Sequence, residues 1–563
     1  MSARWQRWLR TFHTIKHLQP RQAWYFFLRR GIGANTVKVS ANEFKQQPVS
    51  LLPALQLKHT DSEYGNFSFT FLNRSLNFPR DAMDWCPHEA QRLWRYNLHY
   101  FDFLREEKRS LREKIALIDD WIERNPQGSE PAWEPYTASL RIVNWCLFFW
   151  SLPKEKIRQD WLNSLHLQAF WLERNLELHI LANHYFENIK AMIFASFFFD
   201  DRNSIKWRVH FQNELITQLA EQTLADGGHY ERSPQYHCIL LEDYLDLYAL
   251  LSENTALANP ATISALAQTI EPALTFLAAI VTPDDDIPLF NDSASGVASR
   301  PSAIFAKARE LGFSIEVPQT TLIELPESGL FGWKCNNDYF LIDCGDIGPN
   351  YQPGHTHCDF LSYVLMLDGQ WVVVDSGLCE YEPGAMRTYV RSTAAHNTLM
   401  IDQCEQSEIW GEFRVGRRAK RIDAALRKEN TRITFTGSYR GFPAAKASIV
   451  HLRNVILDMS EAGKILTLTL TDKITGEDHE THLIESFIHL HPTLSCAPNN
   501  EQLEALEIAN GKRKLLIKGL TSTSSKKSWY CPQFGVIQEN QLLQQAVSTQ
   551  LPATLSYQLQ RID

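Results

Sequence analysis

The spacing of the apolar residues changes once, near Pro318, and that change limits the fold more than any other feature of the chain. Before it, Leu111 to Arg124, Ser139 to Trp150, Trp161 to Leu178, Asn188 to Phe199, Ile205 to Leu219, Ile239 to Leu251 and Pro260 to Val281 repeat apolar side chains at helical spacing, with short Pro-, Gly- or Asn-containing turns between them. Successive long helices without a sheet predict helical hairpins wrapped into an α/α toroid (an incomplete helical barrel) or an α-solenoid. After it, Leu330–Trp333, Tyr339–Asp343, Phe360–Leu367, Trp371–Val374, Ile449–Leu457, Ile465–Leu470, His482–Leu490 and Thr554–Leu559 read as strands bounded by turn residues. They predict an antiparallel β-sandwich of two sheets. A chain of 563 residues also exceeds one ordinary core. The reading is therefore multidomain α and β: basic N-terminal helices and a linker over 1–87, a toroid over 88–318 and a β-sandwich over 319–563.

Composition narrows the function. A net charge of −9 argues against a nucleic-acid binder, and an anionic substrate would have to be met by local cations. The 16 tryptophans, dense in the first half, could line a carbohydrate cleft, though core packing is their commoner use. The 10 cysteines show no C-x-x-C pair and read as reduced thiols. No stretch reads as long and apolar enough to span a bilayer. The first 24 residues lack the uninterrupted apolar core of a secretory signal, which favours the cytoplasm. They are basic, with Trp5, Trp8, Leu9, Phe12 and Ile15 at helical spacing. Such a helix either touches a membrane surface or packs on the body with its basic face in water.

The chemistry-bearing residues cluster. Between Pro353 and Met400 stand His355-Thr-His357, the turn Asp368-Gly369, Asp375-Ser-Gly and Ala395-His396-Asn397. Histidines at i and i+2 of a strand face one way, and a hairpin at Asp368-Gly369 would return Asp375 beside His357. Two imidazoles and a carboxylate are a common zinc set. In the helical half, Arg141 and Asn144 share a face where Arg141 could clamp a carboxylate or form an internal pair. Asn183-His184 stands at a helix start, where its donors could neutralise an anion or simply cap the helix. In Glu231-Arg-Ser-Pro-Gln-Tyr236-His237, a Tyr beside positive charge could ionise near neutrality and exchange protons, or be an ordinary buried Tyr. The acidic loop Pro283–Asp292 reads as a cation site or, more simply, a solvated turn.

Taken in order, Asn183-His184, Glu231 to His237, His355-Thr-His357, Val374-Asp375-Ser-Gly and Ala395-His396-Asn397-Thr resemble the heparinase II/III-like polysaccharide lyases, which include an alginate (oligoalginate) lyase branch. That resemblance implies a toroid followed by a β-sandwich with the cleft between them. It implies that Asn183 and His184 neutralise a uronate carboxylate and that Tyr236 and His355 move protons. It further implies that His357, Asp375 and His396 hold a largely structural zinc. Arg141, Glu231 and Tyr389 are candidate substrate contacts, and Tyr381 competes with Tyr389 as a second proton-carrying tyrosine. The expected reaction is β-elimination on a uronic-acid-containing polysaccharide or oligosaccharide: C5 proton removal, enolate stabilisation and loss of the 4-oxygen, with no organic cofactor. Without a visible secretion signal, a surface-polysaccharide assembly role is the expected context. An inverting glycoside hydrolase using Glu187, Glu231 or Asp292, or a silent glycan-binding scaffold, are the competing readings.

Overall fold

The computed structural model describes residues 3–32, 36–37, 44–445, 448–498, 505–509, 514–520 and 523–562. The far end of the basic segment (33–35 and 38–40) and the side chain of Trp5 lie outside these. Helices α1 (Ala3–Ile15) and α2 (Pro20–Ile32) come first, then a hairpin pairing Phe67–Phe71 with Arg74–Phe78. The helical region follows as α3 (Arg92–Tyr100), α4 (Leu111–Arg124), α5 (Pro135–Trp150), α6 (Gln159–Arg174), α7 (Ala182–Phe198), α8 (Arg202–Gln222), α9 (Pro234–Glu253), α10 (Pro260–Ile280) and α11 (Pro301–Glu310).

Local chemistry sets the starts of these helices. Proline opens α5, α9, α10 and α11, where its fixed φ suits the first turn and no N–H is lost. Ser110, Ser233 and Asn259 accept backbone N–H bonds as N-caps, and Asp201 forms a capping box with Ser204. The helices interlock through aromatic side chains: Trp94, Trp121, Trp145, Trp161 and Trp171 are all buried. Most of the tryptophan surplus is therefore core, Trp8 and Trp24 being exposed. The reading that no segment could span a bilayer needs correction, because α10 is long and apolar enough by length and composition, with mean hydropathy 1.4. Its Leu266, Ile270, Leu274 and Leu277 are buried in the helical core.

Among the described residues three larger antiparallel sheets and a two-stranded one (Ile409–Trp410 with Arg414–Val415) follow, where two sheets were expected. The first has five strands in chain order: Thr320–Leu325, Leu330–Cys335, Asp338–Asp343, Tyr363–Leu367 and Gln370–Val373. Its inner strands are buried at every position. Tyr339, Leu341, Val364 and Met366 join the helical core, whereas Phe331, Phe340, Tyr363 and Leu365 join the β core. This sheet is thus sandwiched between both halves, which removes the alternation of a half-solvated strand. An eight-stranded sheet, from Lys420–Glu429 at one edge to Ser495–Pro498 at the other, covers its far face. A four-stranded sheet places Leu399–Ile401 beside Thr481–His489.

Candidate active site

The site lies where three loops of the β half meet the starts of α7 and α9. Ser233 caps α9 and fixes Tyr236 in its first turn. Leu181 and Ala182 take left-handed φ of 65° and 54°, an uncommon conformation for side chains of this kind, and so swing Asn183 inward at the start of α7. The segment bearing His355 and His357 is a loop, not the expected strand. The hairpin after it is as expected: Leu367 pairs with Gln370 across Asp368 and Gly369, both with positive φ.

Asp292 is the hub. Fully enclosed, it pairs with His355 Nδ1 (2.9 Å) and His357 Nε2 (2.8 Å) and receives both terminal nitrogens of Arg387. Burial alone would raise this carboxyl; the Arg387 guanidinium and the two imidazoles outweigh it and hold it well below the usual carboxylate range. The acidic loop therefore ends in an interior anchor, which corrects the solvated-turn reading. Arg387, on α12 (Ala385–Arg391), is a residue that sequence reasoning missed. A cation following a Pro-Gly turn offers no periodic signal of its partner 95 positions away.

His355 lies against Tyr236, with ring centroids 3.9 Å apart, and its Nε2 is 3.1 Å from Glu231 Oε2. Asn183 donates to Glu231 through its backbone N–H and its amide, each at 3.0 Å, and its amide nitrogen is 3.5 Å from His355 Nε2. Tyr236 and Tyr381 share a hydroxyl–hydroxyl hydrogen bond of 3.1 Å. Burial pushes both phenols well above their ordinary value; neighbouring Tyr381 and Asp292 add to this for Tyr236. Both therefore carry their protons at neutral pH, which favours the buried-tyrosine alternative over one that ionises near neutrality.

His184 pairs with Glu177 (2.9 Å) and packs on Tyr136 at 4.5 Å. Burial opposes its charge, but Glu177 overcomes this and raises its pKa. Tyr136 in turn meets Tyr100, 5.9 Å away. A histidine drawn toward its charged form thus follows Asn183 in the chain, with Tyr136 and Tyr100 packed behind it.

Two expected substrate contacts lie elsewhere. Arg141 is fully buried, its guanidinium 4.1 Å from the Trp121 ring centre, donating to Gln168 Oε1 and His99 O. It is an internal group that no sugar can reach. Tyr389 faces the other way along α12 and hydrogen-bonds Ser528 Oγ (2.6 Å), so Tyr381 is the loop tyrosine that reaches Tyr236. Gly377 makes that possible: with φ +67°, a Cβ there would stand 2.3 Å from Cys531 O.

His396 Nδ1 pairs with Asp375 Oδ2 (2.8 Å), and the His357 and His396 rings lie 5.4 Å apart. His357 Nδ1 and His396 Nε2 are buried with no hydrogen-bond partner. Each ring is oriented by a carboxylate on its other nitrogen, the arrangement that prepares imidazoles for a metal. Among the described residues, however, no three His, Cys, Asp or Glu side chains converge on one ion position. Donor types and orphan nitrogens fit a zinc; Asp375 as placed serves His396 instead.

A helical region, an antiparallel β region and a phenol–imidazole site at their seam define the class, and sequence comparison agrees. The heparinase II/III N-terminus model matches residues 29–311 and the heparinase II/III-like C-terminal model matches residues 317–559. The chain belongs to the heparinase II/III-like family. A heparin-sulfate lyase of Pedobacter heparinus is 25% identical over 326 residues, 52% of this chain and 48% of that protein, so the match spans about half the relative's length. Among solved structures, a heparinase III has a TM-score of 0.67 at 15% identity, covering 96% of this chain and 92% of the other. A heparan sulfate lyase of Pedobacter heparinus has 0.56 at 18%, covering 96% and 88%. These structures share the fold: an α/α toroid followed by β-sheets.

Proposed function

We propose that the chain is a polysaccharide lyase that cleaves a uronic-acid-containing glycan by β-elimination. The observation that carries this reading is the Tyr236–His355 ring stack across the seam, with Asn183 beside it and Tyr381 hydrogen-bonded behind it. An amide nitrogen has two hydrogens, so Asn183 can hold Glu231 and still donate to a substrate carboxylate. His184, drawn toward its charged form by Glu177, donates there and helps disperse the enolate that forms as C5 loses its proton. His355 Nδ1 faces Asp292 and Nε2 faces Glu231 Oε2 at 3.1 Å, so Nε2 takes the C5 proton when substrate displaces its Glu231 contact. Protonated Tyr236 donates to the departing 4-oxygen and recovers a proton through Tyr381.

His357, Asp375 and His396 would hold a zinc that stiffens the 353–361 and 376–396 segments; zinc itself would supply charge and geometry there. Metal analysis of the purified protein tests this, with His357→Ala expected to lose the metal and melt earlier.

The name of the Pedobacter relative makes a glycosaminoglycan the first substrate to try. Alginate oligomers and the host's own surface glycan follow, the latter if the enzyme acts in cytoplasmic polysaccharide assembly. Elimination produces a conjugated double bond absorbing in the ultraviolet; hydrolysis produces reducing ends without it. The carboxylates a hydrolase would need, Glu187, Glu231 and Asp292, are all buried. Reducing ends appearing without absorbance would overturn the lyase assignment.

A further inference from the structure

The N-terminal helices form a second surface with its own chemistry. Residues 1–42 contain Arg4, Arg7, Arg10, Lys16, Arg21, Arg29, Arg30 and Lys38 and no acidic residue, in a chain of net charge −9. One side of each helix is fastened to the body. From α1, Thr14 Oγ1 donates to Val415 O (3.2 Å) and accepts from Trp410 Nε1 (3.1 Å), and Arg10 pairs with Glu408 (3.3 Å). From α2, Gln22 Nε2 donates to Ile180 O (3.2 Å) and Tyr351 O (3.3 Å), and Arg29 donates to Asn175 O. Thus α1 is tied to the β half and α2 largely to the helical half.

The opposite sides carry exposed apolar side chains. On α1, Trp8, Phe12 and Ile15 stand at i, i+4 and i+7 and are 55%, 51% and 54% exposed. On α2, Trp24 and Phe27 are 64% and 72% exposed. At 3.6 residues per turn, Phe12 points away from both Arg10 and Thr14, Ile15 away from Arg10, and Trp24 and Phe27 away from Gln22 and Arg29. Exposed apolar residues scattered singly need no explanation, but large ones grouped on one face of each of two successive helices mark an interaction surface.

We propose that α1 and α2 together dock the enzyme on an anionic lipid bilayer. A soluble polyanion such as the substrate would use the cations but leave Phe12, Ile15 and Phe27 in water. A bilayer accommodates both, aromatic rings at the headgroup level and cations against the surface charge. Exposed Arg7 and Lys16 flank the apolar face of α1 and supply part of that charge.

Vesicle flotation with the full chain tests this, comparing phosphatidylcholine vesicles with vesicles that also contain phosphatidylglycerol. Binding to the anionic vesicles, weakening with salt, is expected. Arg7→Glu with Lys16→Glu should lower it about tenfold or more, since each cation near an anionic surface contributes roughly fivefold. Trp24→Ser with Phe27→Ser should lower it comparably. The thermal midpoint is expected to be unchanged in both double variants, which separates docking from folding and needs no knowledge of the substrate. Absence of flotation, or binding that neither double variant weakens, would overturn the proposal. So would light scattering that shows a dimer dispersed by the Trp24/Phe27 variant, since that assigns the face to a second copy of the chain.

Discussion

Tyr236 and Tyr381 share a hydrogen bond in a buried setting that keeps both phenols protonated, so their proposed work is donation and relay. Tyr236→Phe removes the proton donor without emptying the site, and elimination should fall about 10²–10⁴-fold, read by ultraviolet absorbance, with the thermal midpoint kept. Tyr381→Phe should also slow turnover, whereas Tyr389→Phe should not, because its hydroxyl serves Ser528. The Glu177–His184 pair gives a pH signature. Glu177 is lowered in spite of burial, through His184, so its contribution is present above the unfolded carboxyl value and fades as pH falls through the lowered one. His184 is raised, so its contribution is complete below its unfolded value of 6.5 and is lost as pH rises through the folded value. The melting difference between wild type and His184→Gln should therefore be greatest between about pH 4.5 and 6.5 and shrink above that. Residue identity made Asn183, Tyr236 and His355 legible in the sequence. Asp292 was legible as the end of an acidic loop; its pairing with Arg387 was not, because a buried ion pair across 95 positions leaves no periodic trace.

The loops carrying the site are held by elements that never touch it. In the eight-stranded sheet, Arg453 bonds Asp472 through two nitrogens (2.7 and 2.8 Å) and donates to Leu361 O and Asn397 O, both at 2.6 Å. The Asp472 carboxyl is held well below its usual range against burial by Arg453 and His451. Those two carbonyls close the ends of the His357 and His396 segments, so the pair sets where these histidines stand. Asp472→Ala would leave a buried guanidinium uncompensated and should cost about 3–5 kcal/mol in denaturant unfolding. Asp292→Ala should cost a similar amount, about 3–5 kcal/mol, for the same reason at Arg387. Most of the long helices were legible from a repeating apolar stripe, and several, such as α8, α9 and α10, from a start signal as well. The loop form of 353–361 was not, since alternating side chains describe a strand only where a neighbouring strand accepts its backbone bonds.

Across the whole molecule the two halves share a wall. The five-stranded sheet contributes Leu341 and Val364 to the helical core and Phe340 and Leu365 to the β core, so neither half can open without exposing it. Calorimetry should show one cooperative transition for the described body, and two well-separated transitions would refute the shared wall. The sequence by itself determined the architecture: a helical period that stops near Pro318, strand runs beyond it, and the residue types of a proton-transfer site. Such patterns are local, and each residue reports its own environment within a few positions. Only the tertiary structure decided that Tyr381 and not Tyr389 meets Tyr236, that Arg141 is sealed beneath Trp121, and that Asp292 ties two histidines to an arginine. These depend on which distant segments share one small volume, and chain order does not encode that directly.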